Sequence, residues 1–136
     1  MKAFVILLAL VTSIVGAGFI PKVTTQLQKP WPVPEADKNK VNPITADASS
    51  IADGKSLWAT HCQSCHGKKG KGDGPKSKQL KTEAGDFSKA TTQSQTDGSL
   101  YYKIAKGRDD MPGFKKKIPE NDDIWSLVNY MRTMSK

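Results

Sequence analysis

The pentapeptide Cys62-Gln63-Ser64-Cys65-His66 constrains this chain more than any other feature, because it holds both of the cysteines and one of the 2 histidines. Two thiols one helical turn apart, followed at once by an imidazole, have few chemical uses. A redox-active CxxC belongs in an α/β pattern of thioredoxin type, and strand-like alternation is nowhere sustained here. A structural zinc ion needs four ligands, and His61-Cys62-Cys65-His66 is too compressed to supply a tetrahedron alone. A short-loop disulfide is the plain alternative. The spacing is that of covalent attachment of a c-type haem. One turn sets the two thiols beside the two vinyl-derived carbons on one edge of the porphyrin, and the next residue offers a nitrogen to the iron. The expected cofactor is therefore one haem c, bound through thioether bonds at Cys62 and Cys65.

The rest of the composition agrees. Only 37% of the 136 residues are hydrophobic, and that figure includes an apolar N-terminus. The remainder has a thin core, and small thin-cored domains usually need a staple, a metal or a large cofactor. No GxGxxG or GxxxxGK[ST] sequence occurs, so nucleotide-binding loops have no support.

Met1-Lys2 followed by the uncharged run from Ala3 to Ile20 reads as a signal peptide or an N-terminal membrane anchor over residues 1–20. Val15-Gly16-Ala17 offers small residues for cleavage. Both readings export everything from residue 21 onward, to a periplasmic location, either free or attached to the inner membrane through residues 3–20. Residues 21–47 contain five of the 8 prolines and lack periodic apolar spacing, so they read as an extended Pro-rich tether. Trp31 is odd for a free linker, because a large aromatic is costly to leave wet. It is expected to dock on the domain.

Residues 48–136 read as an all-α domain. Ser49-Ser50 can cap a helix starting near Ile51, in which Ile51, Gly54, Trp58 and Cys62 share one face. The four glycines between Gly67 and Gly74, followed by Pro75, mark a loop. Thr96 or Asp97 opens a second helix through Leu100, Tyr101, Ile104 and Ala105, with Gly107 as its stop. Asp122-Asp123 opens a last helix with Ile124, Leu127, Val128 and Met131 in a stripe, and Arg132 suits its negative end.

Taken in order, Gly54 four residues before Trp58, CxxCH, Gly72-Asp73-Gly74-Pro75, Met111-Pro112 and a last helix containing Tyr130 resemble the class I monohaem cytochromes c over roughly residues 50–134. The resemblance implies the cytochrome c fold, a small helical domain wrapped around the haem. It implies that Gly54 and Trp58 meet Leu127 and Tyr130 where the first and last helices cross, and that the Pro75 carbonyl orients His66. His66 is the proximal iron ligand. For the distal position, His61 lies on the attachment turn itself, Met131 on the core stripe and Met134 near a fraying end. Met111, in a loop 45 residues after His66 and stiffened by Pro112, matches the family's methionine.

A filled sixth position leaves no place for a substrate, so the expected function is outer-sphere, one-electron transfer between respiratory complexes by a non-enzymatic carrier. A haem enzyme with a labile Met111, and a cytochrome subunit docked permanently through residues 21–47, are the alternatives. The formal charge is +8, and Lys68, Lys69, Lys71, Lys76, Lys78 and Lys81 face one acid, Asp73, between residues 66 and 81. Lys115, Lys116 and Lys117 form a second set. These suit steering toward redox partners with acidic docking surfaces by a monomeric domain, against the alternative of a merely solvated surface. Nucleic acid is not expected, since an exported chain without a recognition motif has no use for it.

Overall fold

Asp47 rather than the Ser49-Ser50 pair starts the first long helix, because two residues cap each other. In the computed structural model, which describes residues 30–135, Ser50 N donates to Asp47 Oδ1 at 2.8 Å and Asp47 N to Ser50 Oγ at 3.2 Å. Such a reciprocal cap satisfies two orphan donors and is worth ~1 kcal/mol. The helix therefore begins three residues earlier than the sequence suggests. The element order is α1 (Glu35–Lys38), α2 (Ala48–His61), α3 (Gln63–His66), a short 3-10 turn (Ser77–Gln79), α4 (Ala90–Gln93), α5 (Asp97–Lys106) and α6 (Asn121–Arg132). Among the described residues there is no strand, and the fold is all-α. The readings made for residues 1–29 lie outside the described residues.

The frame is the crossing of α2 and α6, and one glycine sets its closeness. A Cβ on Gly54 would sit 2.1 Å from the Ser126 carbonyl oxygen and 2.8 Å from Tyr130 Cβ, so only glycine permits the approach. Gly54 thus meets the expected Tyr130, and the Ser126 backbone as well. Leu127 is buried in the core with Trp58, Leu100, Ile104, Phe114, Ile118, Ile124, Val128 and Met131. Full burial of each large side chain is worth roughly 1.5–3 kcal/mol. Helix α5 begins at its Thr96 cap, which accepts from Ser99 N at 3.2 Å, and stops at Gly107, whose φ of 68° is left-handed. It stacks Tyr101 on Trp125 of α6, with ring centroids 4.3 Å apart. Arg132 does more than face the end of α6: its guanidinium pairs with Asp97 at 2.6 Å and donates to the carbonyls of Gln93 and Gln95.

The described part of the 21–47 segment differs from the extended tether expected. It carries α1, packs on α5 and reaches α6. Gly98 of α5 leaves no room for a side chain, because a Cβ there would meet the Asp37 carbonyl oxygen at 2.1 Å. Thr96 Oγ1 donates to Lys38 O at 2.7 Å. Asn129, buried on α6, accepts from Asn42 Nδ2 at 2.8 Å and donates to the carbonyls of Ile44 and Thr45. Prolines suppress helical periodicity but leave polar side chains and carbonyls free to dock, which is how this segment is held.

Candidate functional site

Helix α2 breaks at Cys62, whose φ of −114° departs from helical geometry, so the CxxCH residues form their own turn, α3. Backbone bonds hold that turn: His66 N donates to Cys62 O at 3.0 Å and Gly67 N to Gln63 O at 2.9 Å. The glycine loop then folds back over it. Gly72 N donates to His66 O at 2.9 Å, Gly74 N to Cys65 O at 3.2 Å and Lys76 N to Ser64 O at 2.9 Å. Gly74 has to be glycine, since a Cβ would lie 2.5 Å from Ser64 O and 2.7 Å from Cys65 O. Trp58 of α2 completes this side by donating its indole N–H to Gly67 O at 3.0 Å.

The facing side is a tight turn from Arg108 to Met111. Arg108 N donates to Met111 O at 2.8 Å and Met111 N to Arg108 O at 2.9 Å, and Asp109 between them has a φ of 51°. A positive φ at the first central position suits the mirror-image turns of two-residue hairpins. Gly107 and Gly113 bring the two ends of this loop together, for a Cβ on Gly107 would lie 2.3 Å from Gly113 N. Phe114 N donates to Ile104 O at 2.9 Å, fixing the loop to α5. Asp110 Oδ2 accepts from the backbone N–H groups of Lys81 at 2.6 Å and Thr82 at 3.3 Å, tying in a third segment.

Between the two sides lies a cavity of about 450 Å³. Cys62, Cys65, His66 and Met111 all line it, together with Leu100, Ile104, Phe114 and Leu127. The two cysteines form no disulfide. Burial, with the neighbouring Cys65, pushes the Cys62 thiol up to about 12. Burial pushes the His66 imidazole below its ordinary range, with the Ala84 backbone acting in the opposite sense. Its ring packs on Phe87 with centroids 5.1 Å apart, and on Trp58 at 5.6 Å. His66 Nδ1 is buried with no hydrogen-bond partner. Pro75 is exposed, and no hydrogen bond runs from His66 Nδ1 to its carbonyl. Among the distal alternatives, His61 and the buried Met131 also line the cavity, whereas Met134 packs its sulfur toward Gly70.

Sequence reasoning missed three contributors to this site: Asp110, Arg108 and Phe87. The Asp110 and Arg108 side chains act through bonds to backbone groups remote in sequence, and no local pattern announces those. Trp31 docks as its cost in water implies, lining the cavity beneath two cations. Arg108 Cζ lies 4.5 Å from its ring centroid and Lys103 Nζ 5.4 Å. Burial and the nearby Arg108 hold Lys103 below the usual lysine range.

The residues fit a covalently held haem. Cys62, Cys65, His66 and Met111 line one cavity with Leu100, Ile104 and Phe114, which is the set of side chains that covalent attachment and axial ligation of a haem require. Among the described residues no group of three His, Cys, Asp or Glu side chains is placed to hold a metal ion, which leaves the zinc reading without a donor set.

These features define a c-type cytochrome of the monohaem, class I-like kind, and comparison with known proteins agrees. The family model for cytochrome c oxidase, cbb3-type, subunit III matches residues 49–131, and the chain belongs to this family. This membership supports haem binding and electron transfer through the haem. A chain of the Kuenenia stuttgartiensis reducing HAO-like protein complex Kustc0457/Kustc0458 is 25% identical with a TM-score of 0.60, over 69% of this chain and 47% of that one. This protein thus corresponds to about half the length of that relative. The KustC0563 c-type cytochrome is 28% identical with a TM-score of 0.55, over 62% of this chain and 99% of that one. A point mutant of that cytochrome matches at 27% identity and a TM-score of 0.52, over 61% and 99%. None of the curated proteins matches the chain.

Proposed function

We propose that this protein is a one-electron carrier with a single haem c bound through Cys62 and Cys65, His66 and Met111 being its axial ligands. The observation that carries the reading is the convergence of those four side chains on one cavity. Haem bound there supplies a reversible one-electron couple. The chain's residues supply the rest. Cys62 and Cys65 hold the group by thioether bonds, His66 offers its nitrogen from a turn clamped by the glycine loop, and Met111 offers a thioether sulfur from a turn clamped to α5. A thioether ligand raises the potential relative to a second imidazole. Leu100, Ile104, Phe114, Leu127 and Met131 keep water from the cavity, and a low-dielectric surrounding makes the couple less sensitive to solvent.

The protein acts between respiratory complexes in the periplasm and is not itself an enzyme. Lys76 of one basic set and Lys117 of the other line the cavity with Lys103 and Arg108, against Glu83, Asp109 and Asp110, so the lining is of mixed sign and the attraction for acidic partners rests on the two lysine sets as a whole. Among the described residues no helix is long and apolar enough to cross a membrane. A second reading, a cytochrome subunit docked permanently on a redox enzyme, is favoured by the likeness to a chain from a reducing HAO-like complex. Intact mass of the mature exported protein tests the core of the proposal. A mass equal to the processed chain plus one haem, retained after acid extraction, is expected; release of the haem by acid contradicts it. Copurification with a partner that survives high salt selects the docked-subunit reading.

A further inference from the structure

We propose that Pro30 and Trp31 form a clasp on the Met111 turn, making Trp31 and Arg108 positioning residues that keep Met111 at the cavity; this rests on the axial role proposed for Met111. One residue makes the connection. Arg108 donates from Nη1 to the Pro30 carbonyl at 2.9 Å and lays its guanidinium 4.5 Å from the Trp31 ring centroid. Through its backbone the same residue exchanges both hydrogen bonds with Met111. A pull on the strap is therefore a pull on the turn that presents Met111.

The turn needs holding. Asp109 sits at a φ of 51°, which aspartate adopts more readily than most residues but still less freely than glycine, so contacts from outside the turn add to its stability. Lys103, from α5, places a second cation 5.4 Å from the Trp31 ring and adds an independent anchor. The strap is fixed again further along. Lys38 O accepts from Thr96, and Asn42 donates to Asn129, so Trp31 is the cavity end of a segment already seated on α5 and α6. Trp31 also lines the cavity beside Met111 and Pro112. A clasp of this kind shifts the balance between a turn that presents Met111 and one that has swung away, and an exogenous iron ligand reads that balance directly, because its apparent affinity scales with the open fraction.

Azide titration of the ferric holoprotein tests the clasp, with the sulfur-to-iron absorption band followed in the same samples. Trp31→Ala and Trp31→Leu are expected to bind azide about fivefold to tenfold more tightly than the wild type, the effect of losing one or two cation–π contacts on the open fraction. Trp31→Phe keeps a π face under both cations and is expected to stay within about twofold of the wild type on the same grounds. Leucine fills space without a π face, so a Trp31→Leu protein that behaves like Trp31→Phe overturns the clasp in favour of plain packing. Unchanged azide affinity in both Trp31→Ala and Trp31→Leu overturns it as well. Met111→Ala in the same titration keeps the two claims apart. If Met111→Ala opens the iron to azide and the Trp31 variants do nothing, the clasp alone fails; if Met111→Ala changes nothing, the axial assignment fails and takes the clasp with it.

Discussion

The two walls of the cavity are built in opposite ways. The wall carrying Cys62, Cys65 and His66 is local: residues 62–76 close on themselves through backbone bonds from Gly72, Gly74 and Lys76 to His66, Cys65 and Ser64. The wall carrying Met111 is gathered from afar. Residue 108 reaches back to Pro30, and residue 110 to Lys81 and Thr82. Local closure costs little loop entropy and is rigid once formed, whereas contacts between remote segments are each lost or kept separately. The proximal side should therefore fail all at once, and the distal side in parts.

The largest expected effect breaks the proximal wall. Cys62→Ser combined with Cys65→Ser should yield little folded holoprotein, since the thin core depends on the buried porphyrin, and haem content per chain by absorbance checks it. Next in size are the glycines. Gly74→Ala forces a Cβ into the Ser64 and Cys65 carbonyls, and Gly107→Ala combines a clash at Gly113 N with a left-handed φ. Each should cost about 1–3 kcal/mol in denaturant unfolding. The comparison is sharpened by where the damage shows. Gly74→Ala should lower haem attachment, while Gly107→Ala should leave attachment intact and weaken the sulfur-to-iron band.

A smaller effect isolates one remote contact. Asp110→Ala removes the acceptor for Lys81 N and Thr82 N, both near the surface, at a cost of ~0.5–1.5 kcal/mol per bond at most. Hydrogen exchange should speed up at those two amides while the amides of Gly72 and Gly74 stay protected. The smallest structural effect is on the rim. Reversal of Lys115, Lys116 and Lys117 to Glu should leave the spectrum unchanged and slow electron delivery to an acidic acceptor at low salt. Because exposed charges are screened over about 10 Å at 0.1 M ionic strength, that difference should shrink as salt rises. A rate indifferent to both salt and reversal removes steering from the account.

The same contrast explains what the sequence discloses. CxxCH, the glycine loop, the Thr96 cap, the Gly107 stop and the α6 stripe are short-range patterns, and each is legible because the residues that matter are neighbours in the chain. Asp47 displaces Ser49 and Ser50 as the cap because Ser50 turns inward to answer it, a reciprocity that single-residue preference does not reveal. Gly54 is a reliable mark of close crossing and meets Tyr130 as expected, whereas its approach to the Ser126 carbonyl is not legible, because a backbone group carries no side-chain signal. The docking of residues 30–45 rests on Asn42, Asn129, Thr96 and backbone carbonyls, and polar contacts between remote segments carry no period to read.

The central claim is that Met111 completes the iron's coordination from the distal wall. The most direct measurement is the long-wavelength sulfur-to-iron band of the ferric protein in three variants, Met111→Ala, Met131→Ala and Met134→Ala. Met131 is the strict control, because it is buried and lines the same cavity. The account predicts that the band disappears in Met111→Ala and persists in the other two. A band that survives Met111→Ala, or that vanishes in Met131→Ala while Met111→Ala retains it, contradicts it.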